Sequence, residues 1–149
     1  MTSEPAALPD LRRVVTGHDS SGVAIVRSDD LTQASAMWRG IKFGPLWTSQ
    51  SVPTDDNNSD VDGATRALNG DMGIVMRDGV TLRYTDLAPG ASAALHRTSS
   101  LDHNILITGK LVLVMEDGSE TLLQTPGDVV VQRGTLHAWR NPGPGRVRE

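Results

Sequence analysis

The chain contains no cysteine among its 149 residues, which excludes disulfides and thiolate chemistry and leaves the redox compartment unread. It also lacks any apolar run approaching the ~20 residues that a membrane-spanning helix requires. Its first residues, Met-Thr-Ser-Glu-Pro-Ala-Ala-Leu-Pro, have neither the basic nor the apolar stretch of a secretory signal. The expectation is therefore a soluble, cytoplasmic protein that makes no membrane contact. The formal net charge is −4 and the basic residues are scattered, apart from Arg140, Arg146 and Arg148 near the end, which read as solvated, so no nucleic-acid surface is expected. Helical periodicity is missing too. No segment holds a 3.6-residue apolar period between plausible caps, so no helix of normal length is expected. The apolar fraction, 38%, is low for a globular domain but is concentrated in the second half, where Val, Leu and Ile dominate. The length suits one domain with one core.

What is present is β signal broken by turns. Residues 1–10 are rich in Pro and Ala and read as a flexible tail. Residues 11–72 read as N-terminal strands, an arm and an acidic loop. Val14-Val15-Thr16 and Val23-Ala24-Ile25-Val26 flank the polar turn Gly17 to Gly22, and Met37-Trp38 is the strong apolar anchor of residues 29–40. Phe43 to Thr48 reads as a short strand whose Pro45 suits an edge or a bulge. The stretch from Thr54 to Gly63 carries Asp55, Asp56, Asn57, Asn58, Asp60 and Asp62 and must be a loop. It lacks the central glycine and terminal glutamate of a helix-flanked calcium loop, so a solvated surface loop or lid is expected there instead of a calcium site. From Gly73 the β signal is continuous, and residues 73–149 read as the barrel core.

The centre of the chain is the stretch from Pro89 to Asn141. Its first half sets Gly90, His96, Arg97, Thr98, Asp102 and Gly109 in order, and its second half sets Gly127, Asp128, Gly134, His137 and Asn141. The two halves are the only hint of an internal repeat. Between them, Ile105 to Gly118 is a pair of apolar runs broken by Gly109-Lys110 and Asp117-Gly118, the chemistry of tight hairpins. Short strands punctuated this way argue for a small antiparallel barrel or sandwich. Alternation then puts His96 and Thr98 on one inward face, and His137 meets them from a neighbouring strand.

This pattern resembles the cupin superfamily, in particular its small single-domain members, jelly rolls found widely in bacteria and in fungal natural-product clusters. The first cupin motif runs from a glycine through a His-x-His pair and a glutamate to a glycine, and Gly90, His96 and Gly109 fall on it. The second runs from Gly-Asp through Pro-x-Gly to a histidine and an asparagine, and Gly127, Asp128, Gly134, His137 and Asn141 fall on it. The departures are Thr98 at the second histidine, Asp102 at the glutamate, and Gln132 or Arg133 at the proline. The chain also stops eight residues after Asn141, where relatives run on through another strand. That strand is missing, supplied by a partner, or replaced by Pro142 to Glu149. The resemblance implies an all-β, cupin-type antiparallel barrel with an N-terminal arm that pairs two copies into a homodimer.

The resemblance also implies a metal site of imidazoles and a carboxylate. His96, His137 and Asp102 are the residues available for a weakly held iron, manganese, nickel or zinc ion, as the facial triad of a non-haem iron oxygenase would need. The competing use of the same residues is proton transfer without a cofactor. His96 and His137 would act as acid and base, with Asp102 orienting one of them, in a dehydration, decarboxylation, isomerisation or ring closure. Thr98, Asn104, Leu106, Trp139 and Trp47 are the expected substrate contacts, and a hydrophobic natural-product intermediate is the expected substrate. The leading expectation is thus a lyase, isomerase or cyclase; an oxygenase and a non-catalytic small-molecule binding module are the alternatives. His103 and Arg97 should face away from the cavity and His18 should be exposed. Asn141 should fix a turn, and Leu106, Leu111, Leu113, Val129 and Val131 are core candidates.

Overall fold

In a computed structural model the described residues are 7–32 and 36–149, with the side chains of residues 36 and 37 also outside the description. Most of the expected tail and the Met37 side chain therefore lie outside the described residues. Among the described residues eleven strands follow one another: β1 (Arg12–His18), β2 (Ala24–Leu31), β3 (Ala36–Trp38), β4 (Ile41–Ser49), β5 (Val80–Leu87), β6 (Leu101–Ile105), β7 (Leu111–Met115), β8 (Glu120–Leu123), β9 (Val129–Arg133), β10 (His137–Arg140) and β11 (Val147–Arg148). The helical pieces among the described residues are two three-residue 3-10 turns, Gly63–Thr65 and Asp71–Gly73. Among the described residues there is no longer helix, as expected. The ladders run β1-β2, β10-β7-β8, β11-β5-β4-β3 and β6-β9, and these sheets fit a jelly roll.

The chain divides into two compact units, Pro9–Ser35 with Gly44–Arg83, and Met1–Leu8 with Ala36–Phe43 and Tyr84–Glu149. In the first, β1 and β2 form a hairpin closed by Asp19, whose carboxylate accepts from Ser21 N at 2.8 Å and Val23 N at 3.0 Å. The acidic loop is largely exposed, the surface loop expected from its composition, but several of its carboxylates are paired. Arg13 donates twice to Asp62, at 2.7 and 2.8 Å, and also holds Asp30 and the Leu46 carbonyl. Arg66 pairs with Asp56 and donates to the Thr48 carbonyl at 2.6 Å, and Arg27 pairs with Asp60. The Arg13 guanidinium holds the Asp62 carboxyl below the usual carboxylate range. Composition marks the loop as polar; only the fold brings distant arginines to it.

The second unit carries the main core. Ile41, Leu87, Leu106, Leu111, Leu113, Leu123, Trp139 and Val147 pack together, and the first three residues of β7 are all buried. Leu106, Leu111 and Leu113 are where the sequence puts them. Val129 and Val131 are not: both are more than half exposed, and Val130 and Gln132 turn inward instead. A Val-Val-Val run has no alternation, so its inward parity is invisible in sequence.

Asp117-Gly118 makes the expected hairpin, joining the paired strands β7 and β8 with Gly118 at φ +81. Gly109-Lys110 does not, because β6 pairs with β9 and β7 with β8 and β10. The glycine is needed there for a different reason. Gly109 has φ +89, and a Cβ on it would lie 2.5 Å from the Arg146 carbonyl oxygen. It lets the last strand approach. That strand, β11, pairs with β5 through Val147↔Leu87 and Arg148↔Asp86. Pro45 also fits its setting: β3 reaches along β4 only from Ile41 to Phe43, leaving Pro45 beyond its pairing.

Candidate functional site

Past the Pro89-Gly90 turn, where Gly90 takes φ +74, residues 91–97 run beside β10. Asn141 N donates to Ala91 O and Ala93 N to Trp139 O, both at 2.9 Å. Ser92 opposes Arg140, whereas His96 opposes His137, so the register slips between them in a bulge. His96 and His137 exchange both backbone hydrogen bonds at 2.9 Å. Directly opposed residues of an antiparallel ladder send their side chains to one face. The imidazole centroids are consequently 4.5 Å apart, with the rings tilted at 48°.

Each ring is fixed by the backbone carbonyl two residues upstream. His96 Nδ1 lies 2.9 Å from the Ala94 oxygen, and His137 Nδ1 lies 2.9 Å from the Thr135 oxygen. A carbonyl oxygen only accepts, so Nδ1 carries the proton and each neutral ring keeps its lone pair on Nε2. His137 is 3% exposed and stands edge-on to Trp139 at 5.8 Å, while His96 is half-buried. Burial pushes His137 below its ordinary value of 6.5, and His96 adds to that; the Thr135 carbonyl and the Asp102 charge pull the other way. The inner imidazole is a neutral base at pH 7, and the outer one is reachable from solvent.

The other expected site residues divide. Thr98 is buried and shares a hydrogen bond with Ser100 Oγ at 2.7 Å. Asp102 and Asn104 face inward on β6, opposite Gln132 and Val130, while His103 and Arg97 are exposed. Asp102 makes no hydrogen bond to either ring; it reaches His137 through charge alone, so the orienting groups are the Ala94 and Thr135 carbonyls. Trp139 and Leu106 belong to the core cluster. Trp47 belongs to the first unit, where the Arg66 guanidinium lies 5.9 Å from its ring centroid.

Sequence reasoning missed Gln132. It is 3% exposed and donates to the Thr135 carbonyl at 3.2 Å, and also to the Thr135 hydroxyl, anchoring the same oxygen that holds His137. Its signal was a polar residue in an apolar strand, at the family's proline position. Asn141 does fix a turn. Its Nδ2 donates to Leu87 O at 2.9 Å and Gly145 O at 2.8 Å, and its Oδ1 accepts from Gly143 N. Asn141→Ala is expected to cost about 2 kcal/mol by stranding those partners. The check is a lower urea midpoint with the imidazole tautomers unchanged.

A surface cleft of about 930 Å³ lies in the first unit, between His18, Asp19, Ile25, Arg27, Asn58 and Asp60, and includes none of the expected site residues. The exposed His18 bonds Asn58 there at 2.9 Å. Among the described residues, no three His, Cys, Asp or Glu side chains form a group that could hold a metal ion. Two Nε2 lone pairs are on offer, but Asp102 does not complete the facial triad the resemblance implied. Thr98, at the second-histidine position, spends its hydroxyl on Ser100. The residues present do not fit a three-ligand centre.

No family model matches the chain. The chain is 34% identical over 139 residues to phomopsin biosynthesis cluster protein D of Diaporthe leptostromiformis, covering 89% of this chain and 73% of that relative. It is 32% identical over 150 residues to the cupin-domain-containing oxidoreductase srdD of Neurospora crassa, covering 93% of this chain and 74% of that relative. Among solved structures, an ethanolamine utilization protein Q from Salmonella typhimurium superposes with a TM-score of 0.50 at 10% identity, over 93% of this chain and 91% of that one, a likeness of fold alone. With the two-motif pattern, the jelly-roll sheets and relatives of this coverage, the chain belongs to the cupin superfamily, among relatives that include fungal cupin-domain-containing oxidoreductases.

Proposed function

We propose that the chain is a small-molecule enzyme of natural-product biosynthesis that moves protons with its imidazole pair, as a lyase, isomerase or cyclase. The observation that carries this is the cross-strand pair itself: two rings 4.5 Å apart, each with Nδ1 tied to a carbonyl and Nε2 left basic. Buried His137 takes a proton at Nε2 from the substrate. His96, at the wetter side, first takes a proton from water at its own Nε2 and passes it to a second atom of the substrate, and His137 afterwards sheds its proton to solvent. General acid–base assistance of this kind supplies roughly 10²–10⁴ in rate. A relative named for a phomopsin biosynthesis cluster supports the choice of substrate class.

A second reading, an oxidoreductase, is favoured by the name of the relative from Neurospora crassa. The two separate in deuterium oxide, with candidate intermediates from such a cluster as substrates. Proton transfer at carbon is expected to add one deuterium to the product without consuming dioxygen or another electron acceptor. A product two hydrogens lighter or one oxygen heavier, formed only with an acceptor, would overturn the proposal in favour of oxidation. Unchanged compound that merely binds would leave a binding module.

A further inference from the structure

The hydrogen-bond polarity of the site narrows what it can hold. Both Nδ1–H groups are spent on the Ala94 and Thr135 carbonyls, so the pair turns two bare Nε2 acceptors toward a ligand. The inward face of β6 adds a third acceptor, the Asp102 carboxylate, which makes no hydrogen bond of its own to the rings. The donors nearby are nearly all committed. Gln132 Nε2 serves Thr135, and the Thr98 and Ser100 hydroxyls share one bond. Among the described residues Asn104 Nδ2 has no hydrogen-bond partner, and the Thr98–Ser100 pair keeps one hydroxyl proton uncommitted. The arginines of these segments turn away: Arg97 and Arg133 are exposed, and Arg140 donates to Glu120 at 2.7 Å. A carboxylate or phosphate entering here meets no guanidinium, two lone pairs and a like charge. A ligand with hydroxyl protons meets the acceptors it needs.

We infer that the imidazole pair takes its ligand through hydroxyl protons, and that the matching class is the neutral phenol with adjacent hydroxyls, not an organic anion. This rests on the reading of the pair as a small-molecule site and names the class it accepts. An ortho-diphenol places two O–H groups side by side against two Nε2 atoms from opposed strands. Buried His137 then stands against one phenolic proton and half-buried His96 against the other.

The test is long-range ¹H–¹⁵N NMR of the histidine rings at pH 8 with EDTA present, titrating catechol and, separately, benzoate. In the free protein both Nε2 signals should sit in the unprotonated range. Catechol should shift both saturably upfield, benzoate should leave both in place, and His96→Asn should weaken catechol at least tenfold while His137 keeps its tautomer. The inference is overturned if benzoate binds as well as catechol, if catechol moves neither ring, or if its effect needs a metal and vanishes with EDTA. It fails separately from the proposed function. Catechol binding without deuterium transfer would spare the ligand class and sink the catalysis, and deuterium transfer with preference for benzoate would do the reverse.

Discussion

Arg148→Met is expected to destabilise the fold by about 3–5 kcal/mol. Arg148 donates to both oxygens of Asp86, at 2.5 and 2.6 Å, with the two side chains only 5% and 4% exposed. Its guanidinium also lies 5.4 Å from the centroid of the Tyr84 ring. Methionine keeps much of the stem but leaves the Asp86 carboxylate buried with no countercharge, the situation in which a buried pair is most costly to break. The loss should come with β11, since Val147, fully buried beside it, holds that strand to Leu87. Urea unfolding reads the effect. With slopes of about 1–3 kcal/mol per molar, the midpoint should fall by at least ~1 M. The companion variant decides the mechanism: Asp86→Leu combined with Arg148→Met should recover most of the stability, because both charges are then gone and the volume is apolar. If Arg148→Met alone is neutral, the pair does not hold β11. If the double variant is as unstable as the single, packing and not the stranded charge is the cause.

That strand shows where legibility ended. The glycines and histidines of the two halves pointed to adjacent strands and one shared face, and the rings do stand on opposed residues. Period-two alternation was equally visible in β6, Leu101-Asp102-His103-Asn104-Ile105, and the expected outward turn of His103 agrees with the side that is exposed. Asp102 and Asn104 face inward, and Leu101, His103 and Ile105 are exposed. In β9 the apolar run hid even the parity, and the inward turn of Gln132 was unread with it. Long-range charge pairs lay further out of reach. Arg13 and Asp62 are 49 residues apart, and Arg148 and Asp86 are 62 apart, separations over which only the fold selects the partner. The tautomers were unreadable for a related reason, since both depend on carbonyl directions set by a bulge and a loop.

His137→Asn is the sharper functional test, expected to lower kcat by 10²–10⁴ on the substrate found by deuterium transfer. Asparagine can place its amide nitrogen near the Nδ1 position, so the bond to Thr135 O is kept while the basic Nε2 is lost. The pH profile then ties the loss to this ring. Burial, the largest influence, puts the folded-state value of His137 below 6.5. The acidic limb of kcat/KM should accordingly turn over below that value, where the free enzyme's base becomes protonated. Asp102→Asn removes a charge that raises His137 and should move the limb to still lower pH. Stability carries the same signature with a definite sign. As pH falls through 6.5 the unfolded chain takes up the His137 proton before the folded one does, so stability drops on acidification and levels off below the folded value. At alkaline pH both states are neutral and the group contributes nothing. His137→Asn should remove that part of the slope. An acidic limb at or above 6.5, or one unmoved by Asp102→Asn, would assign the base to a different residue.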